Sequence, residues 1–482
     1  MSRHKYLQIN INMNKILSCA VLAALSLSSI STRALETDGL VRDPSRMVKQ
    51  GQTYWIYGTG VGAQQYSSPD RIHWTRRGAA IPKAPDWVAA NVPGNKDNVV
   101  WAPDVIFHGG KYFLFYSYSA WGSNKSAIGV AINTSLDPNG WQDQGVVIAS
   151  TGTEGFNAID PCGFEDAQGN FWLSFGSYVR GTRLVQLDSQ TGKRLENAPI
   201  HETATHSEVP GNPVEASYIH FHDGYYYLFV NWDFCCRASR SSYNIRMGRS
   251  KSVTGPFLDK SGKDLNAGGG SLFLSALFDN GSGRQIDDEV GPGHVGILRE
   301  GNDYWLSTHY EWSRTTNATT LNVQRMVWDA DGWPRAVIDA GPWKLVSNLP
   351  LHNAASVVSG AAVNGASLQT APFENVLGQR WRLQYQGEGF YSLLSAQGGL
   401  ALGTVADAGA PGAKVELAPW AGRDGQKWFV QQNDDGTITL LSKVSNKATA
   451  LDVSGCNPSD GAAIQTWSSN GLDCQKWSLR LK

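Results

Sequence analysis

The feature that most constrains the fold is a short strand-like pattern that recurs five times. Each copy is a glycine-containing turn followed by an alternating aromatic run, as in a β-strand. The first aromatic residues of the copies are Tyr54, Tyr112, Phe171, Tyr226 and Tyr304. These anchors lie 58, 59, 55 and 78 residues apart, and such self-similarity is the signature of repeated supersecondary units. The pattern therefore predicts an all-β five-bladed β-propeller.

Polar residues occur at a shared phase of these repeats. Asp43, Asp160 and Glu215 each lie 11 residues before their anchor, His294 lies 10 before and Asp104 lies 8 before. Because one phase of a circular repeat lies at one radius, these five groups are expected to form a ring near the axis. Asp-Pro and Asn-Pro pairs also simply start turns, but five polar residues in phase favour a site.

Composition narrows the class of partner. The net charge is −1 and charged residues make up 17% of the chain, so no basic surface for nucleic acid is expected. The chain contains 18 Trp and 17 Tyr residues, which either fill sheet cores or stack on sugar rings.

The N-terminal segment has the features of an export signal. Lys15 precedes an apolar run over residues 16–30, followed by a small-x-small end at Thr32-Arg33-Ala34. This predicts a secretory signal peptide over residues 1–34. The run is short for a bilayer span and no later segment approaches one. We therefore expect a secreted or periplasmic monomer with no membrane partner.

Five cysteines remain after that signal. Cys456 and Cys474 are 18 residues apart and are candidates for a disulfide that stabilises by roughly 3 kcal/mol. The adjacent pair Cys235-Cys236 fits either a vicinal bridge or two thiols, and Cys162 has no evident partner.

A second repeat follows the propeller. Gln-x-Trp recurs as Gln379-Arg-Trp381, Gln426-Lys-Trp428 and Gln475-Lys-Trp477, at intervals of 47 and 49 residues. Three such units predict a β-trefoil over residues 354–482, after a propeller over residues 35–350. The repeated Gln and Trp are expected to pack each lobe's core.

Longer motifs resemble known families. Val-Arg-Asp43-Pro, Trp101-Ala-Pro-Asp104, Asn157-Ala-Ile-Asp160-Pro, Val-Glu215-Ala-Ser-Tyr, Cys235-Cys-Arg and Gly-Pro-Gly-His294 resemble glycoside hydrolase family 43, in its arabinan-degrading branch. One departure is Arg42, where arabinanases commonly carry His.

The resemblance implies an inverting mechanism with three carboxylates. Asp43 would be the general base, Asp160 the carboxylate that orients the acid and tunes its protonation, and Glu215 the general acid. His294 matches a histidine that faces a metal ion, usually calcium, so calcium or another cation is expected near it.

Other residues flank these motifs. Trp101 and Phe156 are candidates to stack on furanose rings, and Asn157 and Ser177 are candidate polar contacts to substrate. Asp104 is predicted to support the second blade rather than to act in catalysis.

The C-terminal segment resembles the ricin-type trefoil lectins, carbohydrate-binding module family 13. The third lobe is the best preserved, with Asp452 as the acceptor of sugar hydroxyls and Trp467 as the stacking platform. Gln465, Asn470 and Gln475 would support this pocket. Gly403 replaces the Asp in the second lobe and the first lobe is more eroded, so one working pocket is expected.

The leading hypothesis is a secreted hydrolase of α-1,5-linked L-arabinan that acts on plant cell-wall polysaccharide and is held there by its trefoil. An exo-acting α-L-arabinofuranosidase, β-xylosidase or galactan hydrolase on the same scaffold is the first alternative. The second is a non-catalytic secreted lectin, which the intact carboxylate trio disfavours.

Overall fold

The computed structural model describes residues 35–276, 289–313, 318–338 and 341–480. The predicted signal peptide, residues 1–34, lies outside these ranges. No helix within these ranges has the length and apolar character of a membrane span. The only α-helix of the described part is Trp87–Asn91, so the predicted all-β class is confirmed.

Five antiparallel sheets follow one another along the chain and confirm the predicted propeller. Their strands, blade by blade, are Val48–Gln50, Thr53–Gly58, Gln64–Ser68 and Thr75–Ala79; Val99–His108, Lys111–Tyr118, Lys125–Asn133 and Gln142–Thr151, joined by Gly60–Val61; Cys162–Glu165, Phe171–Phe175, Thr182–Leu187 and His201–Ala204; Val214–His222, Tyr225–Trp232, Asn244–Ser250 and Ser271–Leu274; and Glu289–Glu300, Asp303–Trp312, Thr319–Trp328 and Pro334–Ala336.

The fifth blade closes the ring. The N-terminal strand Leu35–Glu36 pairs with Thr319–Trp328, so the beginning of the domain joins the blade formed by its end. This pairing ties the first and last repeats together and removes one exposed strand edge.

The aromatic anchors explain why the blades pack into a ring. Five apolar clusters each join two neighbouring blades, and every anchor belongs to the cluster shared with the preceding blade. The anchors are Tyr54, Tyr112, Phe171, Tyr226 and Tyr304, and each has at most 7% of its surface exposed. The repeated aromatic residue is therefore the contact that holds each blade to the one before it.

Each blade has the same unusual backbone conformation at one position, which lies in the innermost strand for Ala102, Ala216 and His294 and shortly before it for Asp43 and Asp160. One residue per blade has a positive φ, at 46° for Asp43, 37° for Ala102, 56° for Asp160, 53° for Ala216 and 54° for His294. These positions lie 10 or 11 residues before the five anchors. Left-handed backbone in non-glycine residues is strained and concentrates at functional sites.

The trefoil is a single twelve-stranded arrangement. Its strands are Lys344–Ser347, Ala354–Val357, Leu368–Ala371, Trp381–Gly387, Phe390–Ser395, Ala401–Thr404, Val415–Ala418, Trp428–Gln432, Ile438–Ser442, Thr449–Val453, Ile464–Ser468 and Trp477–Arg480. Lys344–Ser347 pairs with Trp477–Arg480, so the trefoil sheet includes a strand from within the range predicted for the propeller.

Short 3-10 helices complete the chain. Ala238–Arg240 and Leu265–Ala267 belong to the propeller. The trefoil contains two in each lobe, which are Val358–Gly360, Leu377–Gln379, Val405–Asp407, Asp424–Gln426, Ser454–Cys456 and Asp473–Gln475.

The Gln-x-Trp residues fill the trefoil core, as predicted. Trp381, Trp428 and Trp477 are fully buried, and the indole of each donates to a backbone carbonyl of its own lobe. The paired glutamines are also buried and bind backbone groups of the adjoining loop.

The cysteines pair in both positions that the sequence suggested. Cys456 and Cys474 form a disulfide, and Cys235 and Cys236 form a vicinal disulfide. Cys162 is the free cysteine of the described residues and is buried.

Candidate active site

All five blades contribute to one cavity of about 720 Å³. Its lining contains Asp43, Asp160, Glu215 and His294, which the sequence placed in one ring, together with Trp101, Asn157 and Ser177. Three carboxylates that are distant in sequence therefore share one depression.

The same hydrogen bond between neighbouring blades recurs around this cavity and fixes the backbone there. In four junctions the N–H of the left-handed residue donates to a side chain of the preceding blade. The pairs are Asp43 to His309 Nδ1 at 3.1 Å, Ala102 to Thr59 Oγ1 at 2.8 Å, Asp160 to Ser117 Oγ at 3.1 Å and His294 to Asn231 Oδ1 at 3.1 Å. Each acceptor lies five residues after its blade's aromatic anchor.

The remaining junction is built differently. The equivalent acceptor position is Gly176, which has no side chain, and a Cβ there would lie 2.9 Å from the carbonyl oxygen of Gly181. The N–H of Ala216 instead donates to Asp160 Oδ2 at 3.2 Å. Asp160 therefore binds the backbone immediately after Glu215, which gives it a direct role in orienting that residue.

Asp43 is surrounded by positive and donating groups. Burial favours its neutral form, but His294 and Arg42, with a hydrogen bond from Thr59, lower the pKa of Asp43 to about 2. His294 Nε2 lies 3.4 Å from Asp43 Oδ1. Asp43 is therefore ionised at neutral pH, as a general base must be.

Asp160 has the opposite protonation tendency. Burial raises the pKa of Asp160 well above its usual value, and the charges of Glu215 and Asp43 raise it further. Since neighbouring like charges disfavour ionisation, Asp160 keeps its proton to a higher pH than Asp43 does.

Two hydroxyl groups hold the Glu215 carboxyl. Ser177 Oγ donates to Glu215 Oε2 at 2.7 Å, and Tyr243 OH donates to Glu215 Oε1 at 2.7 Å. Burial and the nearby carboxylates raise the pKa of Tyr243, so its phenol stays a donor. The carboxyl of Glu215 is thus fixed at both oxygens at the cavity wall.

His309 acts as a neutral acceptor. Burial lowers its pKa to about 3, and its Nδ1 accepts from the N–H of Asp43, which places the ring proton on Nε2. The ring also stacks with that of Tyr243, with centroids 6.5 Å apart.

The predicted aromatic contacts separate into two outcomes. Trp101 lines the cavity and lies 5.3 Å, centroid to centroid, from Trp121, which is 75% exposed. Phe156 is 7% exposed and packs edge-on against Phe175 in the apolar cluster between the second and third blades. The structure therefore gives Phe156 a core position instead of the expected stacking position.

The two predicted polar contacts both line the cavity. Ser177 lines it and donates a hydrogen bond to Glu215. Asn157 is buried, and its Oδ1 has no hydrogen-bond partner among the described residues.

Asp104 does not belong to the catalytic ring. It lies two residues beyond the left-handed position of its blade and forms a buried bidentate ion pair with Arg46, with Arg46 Nε 3.1 Å from Asp104 Oδ1. Arg46 also donates to the carbonyl oxygen of Gly163. Asp104 therefore joins the first three blades, in agreement with a supporting role.

The cavity beside His294 is small. A narrow axial cavity of about 20 Å³ is lined by His294, Asp104 and Asp160, which is room for about one water molecule. Calcium prefers six to eight oxygen ligands. Within the described ranges no group of three His, Cys, Asp or Glu side chains suited to a metal includes His294. His294, Asp104 and Asp160 are the side chains that would lie nearest a cation here, and Asp104 is already paired with Arg46.

Four of the predicted trefoil residues form a hydrogen-bonded cluster in the third lobe. Gln475 Nε2 and Gln465 Nε2 donate to Asp452 at 3.1 and 3.4 Å, and the Asn470 N–H donates to Gln475 Oε1 at 2.9 Å. The Trp467 ring is 45% exposed and available for stacking.

Strand register identifies the equivalent positions in the other lobes. Ser356 and Gly403 occupy the place of Asp452, paired with Gln369 and Glu416. Alanines, Ala371 and Ala418, occupy the place of Trp467. Neither lobe retains both the acceptor and the aromatic platform.

Sequence reasoning missed several residues of the propeller site. Thr59 and His309 share the position five residues after the anchor, so the phase argument used for the ring would have found them. Tyr243 and Trp121 lie in loops outside the repeat, and no periodic signal marks them.

Three carboxyl side chains that line one cavity at the propeller axis suit a glycoside hydrolase, since hydrolysis needs a base and an acid at one bond. The chain belongs to the glycosyl hydrolases of family 43, whose family model matches residues 37–334. A ricin-type β-trefoil lectin-like model matches residues 377–467 and 424–481.

Named relatives and a solved structure are similar to the propeller part of the chain. The chain is 38% identical over 330 residues to an extracellular exo-α-(1→5)-L-arabinofuranosidase of Cellvibrio japonicus, covering 65% of this chain and 91% of the relative. It is 38% identical over 299 residues to an extracellular endo-α-(1→5)-L-arabinanase of Bacillus subtilis, covering 61% and 87%. A solved endo-arabinanase of Bacillus licheniformis aligns with a TM-score of 0.57 at 38% identity, covering 63% of this chain and 99% of that one.

Proposed function

We propose that the protein is a secreted hydrolase that cleaves α-1,5-linked L-arabinan within its chains. The observation that carries this proposal is the convergence of Asp43, Asp160 and Glu215 from three blades on one cavity. Relatives named for arabinan hydrolysis, at 38% identity over most of the propeller, support the choice of substrate.

The reaction follows from the protonation of these groups. Asp43, ionised, removes a proton from water as the water attacks the anomeric carbon. Glu215 donates a proton to the leaving glycosidic oxygen, which Ser177 and Tyr243 help to align. An inverting enzyme keeps its two carboxyls about 6.5–9.5 Å apart to admit that water, and Asp43 and Glu215 line the same cavity from the first and fourth blades.

Asp160 supports the acid in two ways. Its hydrogen bond to the N–H of Ala216 fixes the backbone beside Glu215. Burial and the neighbouring charges raise its pKa, so Asp160 keeps its proton to a higher pH than Asp43 does. Both effects act through Glu215.

Endo action is the leading form of the proposal. The exo-acting alternative is supported by the Cellvibrio relative. The chain is 38% identical to it and 38% identical to the Bacillus endo-acting relative. Product sizes from linear arabinan discriminate them, because endo cleavage releases mixed oligosaccharides and exo cleavage a single short product.

The test is a substrate screen of the purified protein on linear arabinan, branched arabinan, xylan and galactan, with Glu215→Gln as the inactive control. We expect reducing sugar from arabinan and none from xylan or galactan. Release from xylan or galactan alone would reassign the substrate, and binding without release from any polymer would indicate a lectin.

The trefoil is proposed to hold the enzyme on polysaccharide. A weak sugar pocket raises the local substrate concentration without touching the chemistry, as a tether does. The third lobe is the one of the three that retains both the acidic acceptor, Asp452, and the exposed aromatic ring, Trp467.

A cation, calcium in the first instance, is proposed near His294. It would contribute positive charge beneath the carboxylate ring, with His294 holding it through water. Calorimetric titration of calcium into chelator-treated protein, with His294→Ala as the control, tests this. Equal heats from both proteins would exclude the site.

Export and a monomeric state complete the proposal. The two relatives are named as extracellular. N-terminal sequencing of the mature protein should begin at Leu35, and size-exclusion chromatography with light scattering should give one chain per particle.

A further inference from the structure

Arg42 places a positively charged side chain beside the proposed general base, Asp43. It directly precedes Asp43, lines the same cavity, and is 18% exposed at its side chain. Its Nε lies 3.7 Å from Asp43 Oδ2. Nη1 is buried and has no hydrogen-bond partner among the described residues.

The guanidinium is held from the other side by a sulfur atom. Arg42 Nη2 donates to Cys236 Sγ at 2.8 Å. This sulfur belongs to the vicinal disulfide with Cys235, and both cysteines line the cavity. Bridging neighbouring cysteines closes a small ring, which removes the rotamer freedom of both side chains. The acceptor of Arg42 is therefore fixed in place.

Glu311 anchors this element to the next blade. The N–H of Cys236 donates to Glu311 Oε1 at 2.8 Å and to Oε2 at 2.9 Å, and Ser241 Oγ donates to the same carboxylate. Glu311 is 3% exposed and lies on the second strand of the fifth blade. A loop of the fourth blade is thus pinned to the fifth blade at the point where it meets Arg42.

We propose that the Cys235–Cys236 disulfide, anchored by Glu311, positions Arg42 against Asp43, and that hydrolysis depends on this disulfide being intact. Arg42 is a positioning residue that acts through Asp43. The proposal rests on the assignment of Asp43 as the general base. Without the bridge, Cys236 Sγ rotates freely, and the guanidinium loses one of the contacts that fix its charge beside the base.

The test begins with reduction under native conditions. A water-soluble phosphine breaks the sulfur–sulfur bond, each sulfur gains an electron and a proton, and the phosphine becomes a phosphine oxide with oxygen from water. Alkylation and mass spectrometry identify which disulfide has opened. The readout is kcat and KM on a soluble arabino-oligosaccharide, before reduction and after.

We expect kcat to fall at least tenfold, with KM changed less than twofold, and to recover on reoxidation. The matched control is the Cys456→Ala/Cys474→Ala variant, in which only the vicinal bridge remains to be reduced and which should respond as the wild type does. The Cys235→Ser/Cys236→Ser variant should have the low kcat from the start and no response to reductant.

Arg42 supplies the second half of the test. Arg42→Ala should lose kcat to the same extent as reduction, gain part of it back with added guanidinium, and lose nothing more when reduced. Arg42→Lys should retain an intermediate kcat. Full kcat after confirmed reduction of Cys235–Cys236, or independent additive losses, would overturn the proposal. Failure of the proposed function would look different, because untreated wild-type protein would then release nothing from arabinan.

Discussion

The propeller and the trefoil are both built from internal repeats, but they use divergence between repeats in different ways. In the propeller the same backbone position of every blade faces one axis, so replacing it with Asp43, Asp160 and His294 in different blades creates one composite site. In the trefoil each lobe faces its own direction. There Gly403 and Ser356 in place of Asp452 leave two lobes without an acidic acceptor.

Divergence between repeats therefore has different consequences in the two folds. A closed ring gathers unlike side chains at one point, so asymmetry is required for acid–base chemistry. A trefoil keeps its lobes apart, so asymmetry reduces the number of pockets and leaves the remaining one unchanged. Four predictions test this difference, beginning with the largest effect.

The first prediction concerns the acid of the composite site. Glu215→Gln should lower kcat on arabinan by about 10²–10⁴-fold, the usual contribution of a general acid. An aryl arabinoside with a strongly acidic leaving group should lose far less, because its departure needs no proton. Initial rates on both substrates measure this, with the exposed Glu388→Gln as a control for loss of one carboxylate. Equal losses on the two substrates would show that residue 215 is not the acid.

The second prediction separates charge from position at Asp160. Asp160→Asn keeps an oxygen acceptor for Ala216 but removes the acidic proton, and should lower kcat by about 10²–10³-fold, comparable to loss of one preorganised electrostatic group. The alkaline limb of the pH profile should move to lower pH, because the pair no longer contains two like charges competing for one proton. Asp160→Ala should cost more. An unchanged alkaline limb in Asp160→Asn would indicate that Asp160 acts by position alone.

The third prediction uses three equivalent pairs of positions in the trefoil, two of which are cross-linked. The residues 21 and 3 positions before each lobe's Trp are Gly360 and Gly378, Asp407 and Gly425, and Cys456 and Cys474. In the second lobe Gly425 N–H donates to Asp407 Oδ1 at 3.2 Å, where the third lobe has its disulfide. Cys456→Ala/Cys474→Ala should lower the free energy of unfolding by about 3 kcal/mol, against about 1 kcal/mol for Asp407→Ala.

Urea denaturation of each variant in the full-length protein measures these losses. Equal losses in the two lobes would contradict the larger stabilisation expected from the disulfide.

The fourth and smallest prediction tests independence of the lobes. Asp452→Ala combined with Trp467→Ala should weaken binding to insoluble arabinan by about tenfold, as expected from loss of a stacking platform and a hydrogen-bond acceptor. The kcat on soluble oligosaccharides should not change. The matched control is Ser356→Ala, in a lobe without the platform, which should bind as the wild type does. A loss in the control would show that the first lobe also binds.

Much of this architecture was predictable because repeats leave a period in the sequence. The anchors predicted the blades, and the phase of Asp43, Asp160, Glu215 and His294 predicted their meeting at the axis. The sequence also placed Asp104 in that ring, although its shorter interval favoured a supporting role, and the structure pairs it with Arg46 instead. The Gln-x-Trp repeat likewise predicted the trefoil and its core.

What the sequence did not reveal depends on contacts without a period. Phe156 next to the catalytic motif looks like a stacking residue, but its ring turns into the cluster with Phe175. Tyr243 reaches Glu215 from a loop, so only the folded chain shows that contact. The replacement of a side-chain acceptor by Asp160 at Gly176 follows from one missing Cβ.

The most direct test of the central claim is a crystal structure of Glu215→Gln with a bound arabino-oligosaccharide. The account predicts that a glycosidic oxygen lies within hydrogen-bond distance of the residue 215 side chain, with a water molecule between Asp43 and the anomeric carbon on the opposite face of the sugar. A sugar bound only in the trefoil, or one whose anomeric carbon lies away from Asp43, would contradict it.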